Sequence, residues 1–184
     1  MKDSLKERQT EIELLVKSAQ QGDTAAFAKL YDYYINPIYR YVYYKVDHED
    51  ALDITESIFL KVWENLKYYR RRKGGFSGWI FKIAHNMVVD HYRLQKKHIS
   101  IENIDIVDEN SVANPSLRAE RVLNNDNLRK ALSKLKKPHQ QIIILRYING
   151  LEIDEIAEIM KKSEGSIRIL KFRALQILKK ILEE

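Results

Sequence analysis

Seven of the nine lysines and arginines between residues 66 and 97 fall in two clusters, and only one acidic residue, Asp90, accompanies them. The first cluster is Arg70, Arg71, Arg72 and Lys73; the second is Arg93, Lys96 and Lys97. Cations packed this densely are either the footprint of phosphate binding or a solvated basic surface. Tyr68, Tyr69 and Phe76 flank the first cluster, and Asn86 lies between the two. A second basic block spans residues 127–184, with 13 Lys/Arg against 7 Asp/Glu. Within it Arg168, Ile169, Phe172, Arg173 and Gln176 share one face at helical spacing, with Ser166 and Lys171 beside them. Arginine can bond guanine through two parallel hydrogen bonds, and apolar side chains can meet thymine methyls. Lys171 is read as a phosphate contact, which positions without specifying.

The same inventory excludes other chemistry. There is no cysteine, which removes disulfides, thiol catalysis and cysteine-ligated zinc. There is no glycine-rich phosphate loop and no serine–histidine arrangement, so no enzyme and no cofactor is expected. His85, His91 and His98 step by six and seven residues and do not form a metal set. Asp50 and Asp53 could form a carboxylate pair, but at a helix start they more simply favour the helix dipole. The tyrosines crowded between Tyr31 and Tyr44 have helical spacing and are read as packing. The longest aliphatic run, Ile142 to Leu145, is far short of the roughly 20 residues of a membrane span. The N-terminus is polar without a signal-peptide core, so the expected location is cytoplasmic, with no membrane insertion.

These residues need helices to position them. Glycine (6) and proline (3) are scarce and charged residues reach 32%, which favours an all-α fold over a turn-rich β fold. A first helix is expected at about 9–20, stopped by Gly22, and Asp23–Thr24 can cap a second. That second helix runs from about 25 to 46, with a kink or break expected at Asn36–Pro37. A third covers about 48–66, with Ala51, Ile54, Ile58, Val62 and Leu66 as its stripe, widened by Phe59 and Trp63. A fourth covers about 77–97, with Trp79, Ile80, Ile83, Ala84, Met87, Val88 and Tyr92 inward. Residues 98–116 are acidic and read as a flexible linker between a domain at 1–97 and another at 117–184. The second domain should hold helices at about 117–135, 138–149 (Pro138 in its first turn), 152–161 and 165–182. In the last two, Ile153, Ile156, Ala157 and Met160 face Ile167, Leu170, Ala174, Ile177, Leu178 and Ile181. Ser163 is placed to cap the final helix. This is the pattern of a helix-turn-helix.

The segment from Leu145 to Met160, continued from Ser163 to Leu175, resembles the promoter-reading C-terminal domain of extracytoplasmic-function sigma factors, in the sigma-70 family. The N-terminal half is similar to the same family independently. Ala26-Phe-Ala-Lys-Leu-Tyr31 resembles its first helix, Asp50 to Phe59 with Trp63 its polymerase-binding helix, and Phe76 to Asn86 with Asp90 and Arg93 its promoter-melting helix. The resemblance covers about 10–183.

The resemblance implies two small helical domains, sigma region 2 and sigma region 4. It implies that Asp50, Asp53, Ile54, Glu56, Ser57, Phe59 and Trp63 bind core RNA polymerase. Arg70, Arg71, Arg72, Lys73, Phe76, Asn86, Arg93, Lys96 and Lys97 would hold the melted minus-ten element, with Tyr68, Tyr69 and Phe76 as candidate stacking groups and Asn86 able to read a base edge. Ser166, Arg168, Ile169, Lys171, Phe172, Arg173 and Gln176 would read the minus-thirty-five duplex. The implied partners are core RNA polymerase, promoter DNA as duplex and as melted single strand, and an anti-sigma factor. The chain departs from the family pattern at Glu56 and Ser57, where Gln then Glu is usual, and at Ile169 and Leu170, where polar or basic residues are common. Two alternatives stay open: a sigma mimic that sequesters an anti-sigma factor, and a helix-turn-helix regulator that works without polymerase.

Overall fold

The computed structural model describes residues 2–99 and 126–183. Every regular element among them is helical. Helix α1 (Lys2–Gln20) is followed by a turn in which Gly22 takes φ +96°, a conformation that favours glycine. Asp23 then caps α2 (Thr24–Tyr43), its carboxylate accepting the N–H groups of Ala25 and Ala26 at 2.9 and 3.0 Å. The expected break at Asn36–Pro37 does not occur. Helix α2 continues through Pro37. Proline removes one backbone hydrogen bond there, but Ile38 and Tyr41 on the next turn are completely buried, and their burial offsets the loss.

The tyrosines of α2 are the wall against which the N-terminal unit packs. Tyr34, Tyr39, Tyr41, Tyr43 and Tyr44 are all buried. Tyr41 stands edge-on to Phe81 with ring centroids 5.7 Å apart, a favoured aromatic geometry. Helix α3 (Asp50–Asn65) buries Ala51, Ile58, Phe59 and Val62 against this wall and ends in a short 3-10 turn, Leu66–Tyr68. Helix α4 (Gly75–Ile99) begins two residues earlier than expected and extends into the first residues assigned to the linker. Its inward residues are Phe76, Ile80, Phe81, Ala84 and Val88, while Trp79, Ile83, Met87 and Tyr92 are half-buried. The rest of the linker and residues 117–125 lie outside the described residues.

The C-terminal unit follows with α5 (Asp126–Ser133) and α6 (Lys137–Ile143), which has Pro138 in its first turn. A π-helical turn at Ile144–Ile148 completes the segment expected as one helix, and Gly150 at φ +72° turns the chain. Helix α7 (Ile153–Met160) and helix α8 (Glu164–Glu183) form the helix-turn-helix. Two expected faces need correction. Ile159, absent from the expected α7 face, is buried with Ile156, while Ile153, Ala157 and Met160 are half-buried against the core, and Ile177 is exposed. The eight-residue α7 is too short to bury a wide stripe, and on α8 the buried line is Ile167, Ala174 and Leu178, with Ile177 outside it.

The two units pack against each other. Helix α7 lies along α4, and the π-helical turn touches α2. At this seam Lys45 is enclosed, with its ammonium over the Tyr41 ring at 5.5 Å. Burial first, and then the neighbouring Lys137, lower the Lys45 pKa to about 8. Below pH 8 the folded chain must hold a buried ammonium. Its penalty is therefore fully present at neutral pH and fades as pH rises from about 8 toward 10.5, the ordinary lysine value. Lys45→Met should raise neutral-pH stability by up to roughly 3 kcal/mol. The gain should shrink in that alkaline window, as read from urea midpoints across pH.

Candidate nucleic-acid interface

The basic segment 70–73 forms an arch whose two ends are buried. At one end Tyr69 is 4% exposed and its hydroxyl donates to Glu13 Oε1 at 3.0 Å. Burial and the adjacent Glu13 push its pKa well up, so it stays a neutral donor. Gln20 Nε2 donates to the carbonyls of Leu66 and Tyr69 at 2.9 and 3.0 Å, which ties the same end to α1. At the other end Phe76 is 2% exposed. Tyr34, Tyr69, Phe76 and Trp79 close into one ring cluster with centroids 5.2–5.4 Å apart. Gly75, at φ +57°, makes the turn from the arch into α4.

This geometry corrects two expectations. Phe76 and Tyr69 have no open ring face for a base, because the cluster consumes both. Tyr68 remains, 67% exposed beside the arch. The four cations are not equivalent either. Arg70 Nη1 donates to the carbonyls of Lys67 and Tyr69 at 3.3 and 3.0 Å. Arg71 Nε lies 3.8 Å from Glu13 Oε1, and Lys73 pairs with Glu164 of α8. Arg72 is exposed.

Beside the arch runs an open groove of about 720 Å³ between α3 and α4. Asn86, Tyr68 and Trp79 line it, and so do Ile54 and Ser57 of α3. Asn86 is exposed, with its amide free to face a ligand in the groove. Asp50 is tied across to α4: His91 Nε2 lies 3.2 Å from its carboxylate and Gln95 Nε2 donates to it at 3.4 Å. Arg93 is exposed and pairs with Asp90 at 3.2 Å, one helical turn away. The side chains of Lys96 and Lys97 lie outside the described residues.

On α3, Asp53, Glu56 and Ser57 are exposed, and Trp63 is 44% exposed. Phe59 is buried against Tyr31, with centroids 4.6 Å apart, so it supports the helix and does not form its outer surface. Leu60 is 67% exposed and takes that place; it was missed because it lies off the apolar stripe. On α8, Ser163 Oγ accepts the Ser166 N–H at 3.2 Å, capping the helix as expected. Ile169 and Phe172 are 56% and 62% exposed, and Ser166, Arg168, Arg173 and Gln176 are exposed with them. Arg168 pairs with Glu164 at 3.2 Å, and Lys171 is half-buried.

Residues 30–98 match the family Sigma-70 region 2, and residues 125–178 match Sigma-70, region 4. RNA polymerase sigma factor YlaC of Bacillus subtilis is 30% identical over 82% of this chain and 88% of its own length. The chain belongs to the sigma-70 family, in its extracytoplasmic-function group. The ECF RNA polymerase sigma factor BldN of Streptomyces coelicolor is 33% identical over 92% of this sigma factor, which spans 65% of the length of that relative. The ECF RNA polymerase sigma factor SigW of Bacillus subtilis is 26% identical over 92% of this chain and 95% of its own. The fold is similar to that of CnrH in complex with the cytosolic domain of CnrY, at a TM-score of 0.71, 20% identity, and 94% and 97% coverage of the two chains. It is similar also to the sigma factor RpoE of Bartonella quintana in complex with the anti-sigma factor NepR, at a TM-score of 0.68, 19% identity, and 85% and 96% coverage. Sigma factors are not catalytic enzymes. No helix among the described residues is long and apolar enough to cross a membrane.

The cluster separates two kinds of aromatic residue at the arch, and mutation distinguishes them. Phe76→Ala should cost about 3–5 kcal/mol of stability, read by urea denaturation. Tyr68→Ala should leave stability within about 0.5 kcal/mol and weaken binding of single-stranded minus-ten DNA by the polymerase holoenzyme.

Proposed function

We propose that this sigma factor binds core RNA polymerase and directs it to promoters through three surfaces. The outer face of α3, with Asp53, Glu56, Ser57, Leu60 and Trp63, docks on polymerase. The arch and the groove hold the melted minus-ten strand. The cations Arg71, Arg72, Lys73 and Arg93 meet phosphates there, with Lys96 and Lys97 as further candidates from the sequence. Tyr68 stacks, and Asn86 reads a base edge. Holding flipped bases in this way offsets the cost of unstacking them and so favours melting. The exposed face of α8 lies in the major groove of the minus-thirty-five duplex, where Arg168 and Arg173 meet guanine and Ile169 and Phe172 meet thymine methyls. Catalysis belongs to polymerase, and no cofactor enters this reading.

One observation supports it above the rest: each matched region carries its own exposed basic surface, the arch in region 2 and the α8 face in region 4. A sigma mimic needs neither. An anti-sigma factor is a further partner, as RpoE has in its complex with NepR.

Arg168→Ala with Arg173→Ala should weaken promoter occupancy by the holoenzyme about tenfold or more, since each base-reading arginine contributes about 1–3 kcal/mol of discrimination. Core polymerase binding should be retained. Footprinting and transcription from a cognate promoter measure the first and gel filtration the second. Unchanged promoter use would remove α8 as the reading helix.

A further inference from the structure

Lys45 stands just past the end of α2, half-buried, with its ammonium over the Tyr41 ring. Among the described residues no carboxylate pairs with it. Of the acids on that side, Asp50 is engaged by His91 and Gln95, and Asp47 is exposed. Its neighbours are cationic or neutral instead. Lys137 of α6 holds its ammonium 4.7 Å from the Tyr92 ring centroid, and the Tyr92 hydroxyl donates to the Lys45 carbonyl. Arg129 of α5 lies over the Tyr43 ring at 5.1 Å and donates to the Val46 carbonyl at 2.8 Å. On the α4 side, His85 Nδ1 lies 3.2 Å from the Tyr41 hydroxyl and 3.1 Å from the Gln141 amide. Burial, then Lys45, then Lys161 at the end of α7, lower the His85 pKa, so its ring is neutral at pH 7 and above.

An enclosed ammonium with no anion beside it is costly, and an apolar side chain of similar length would avoid that cost. The same surroundings activate the amine. Desolvation and an adjacent cation both hold a lysine uncharged and make it a nucleophile, and both act on Lys45. Near pH 7.5 about one ordinary lysine in a thousand is unprotonated. With its pKa lowered to about 8, Lys45 is unprotonated in about one molecule in four. The surroundings also select the product. An imine would keep the positive charge beside Lys137, and a neutral acyl group would leave Lys137 without a partner. Addition of CO2 instead turns the cation into an anion within a group of cations. CO2 is small and uncharged, which suits a half-buried amine.

We propose that Lys45 is a carbamylation site, where the enclosed amine takes up CO2 and the resulting carbamate pairs with the Lys137 ammonium. The nitrogen lone pair forms the new carbon–nitrogen bond. One carbon–oxygen π bond of CO2 opens and leaves the negative charge on oxygen, and the nitrogen releases one proton to solvent. The step needs no oxidant, reductant or leaving group. It replaces a repulsion between a residue after α2 and a residue of α6 by an ion pair. In the unfolded chain the same lysine is protonated and unreactive, so dissolved CO2 binds the folded form and stabilises it.

The test traps the adduct. The purified chain is equilibrated with bicarbonate near neutral pH and treated with triethyloxonium, which fixes a carbamate as its ethyl ester, and is then digested for mass spectrometry. The peptide holding Lys45 should carry an ethoxycarbonyl group on that lysine, in about tenfold or greater excess over exposed lysines such as Lys61 and Lys179. No adduct at Lys45, or equal adducts at the exposed lysines, would overturn the proposal. Lys137→Met keeps the Lys45 amine and removes the counter-ion, so it should lower the Lys45 adduct; an unchanged yield would remove Lys137 as the partner. Urea midpoints give a second readout that does not depend on trapping. Bicarbonate should raise the wild-type midpoint above that in chloride of equal ionic strength, and Lys45→Arg, which keeps the charge without a nucleophilic amine, should show no such rise. An equal rise in the arginine variant, or none in wild type, would contradict the assignment.

Discussion

The packing of four aromatic rings at the root of the arch is the constraint on which the rest of the site depends. Tyr34 from α2, Tyr69 from the segment after α3, and Phe76 and Trp79 from α4 meet there. Four successive cations repel one another and would favour an open, wandering loop. Burying an aromatic residue at each end fixes both exits of that loop against the core, so the repulsion turns the cations outward and cannot unfold the segment. Burial also pushes the Tyr34 pKa up to about 12, which keeps its hydroxyl neutral and bonded to Ser77 at 2.9 Å. The groove inherits its shape from the same cluster, since Trp79 belongs to both.

Much of the fold was readable because it depends on neighbours in the chain. Gly22, Asp23, Pro138, Gly150 and Ser163 act within one turn of themselves, and each stands where its chemistry placed it. The helical spacing of the tyrosines between Tyr31 and Tyr44 pointed to packing, and five of the seven are buried, while Tyr31 is exposed and Tyr33 half-buried. Pro37 shows the opposite case. Its local cost is real, but what outweighs it is the burial of Ile38 and Tyr41, which no short window of sequence contains. The same limit explains the site. Aromatic residues beside a run of arginines look like stacking platforms, yet Tyr69 is claimed by Glu13 of α1 and Phe76 by Tyr34 of α2. The exposed Leu60 was invisible for the complementary reason: it was simply outside the periodic stripe. The roles of the polymerase- and DNA-facing residues came from resemblance; spacing alone indicated a helix-turn-helix and two basic surfaces.

Charge runs through the molecule in a consistent way. The acidic side chains Glu13, Glu158 and Glu164 lie at the arch, while Arg129 and Lys137 lie over Tyr43 and Tyr92 at the other end of the seam. Between them, burial and the nearby Lys45 and Lys161 lower the pKa of His85, whose ring accepts or donates bonds with Tyr41 and Gln141.

The central claim is that this chain is an initiation subunit, and the most direct measurement is its binding to bacterial core RNA polymerase. The purified chain and core enzyme, mixed at moderate salt and separated by gel filtration, should co-elute. Leu60→Ala with Trp63→Ala, both on the exposed face of α3, should elute alone while keeping its helical circular dichroism. Wild-type protein that is folded by the same criterion yet never co-elutes with core enzyme would contradict the account.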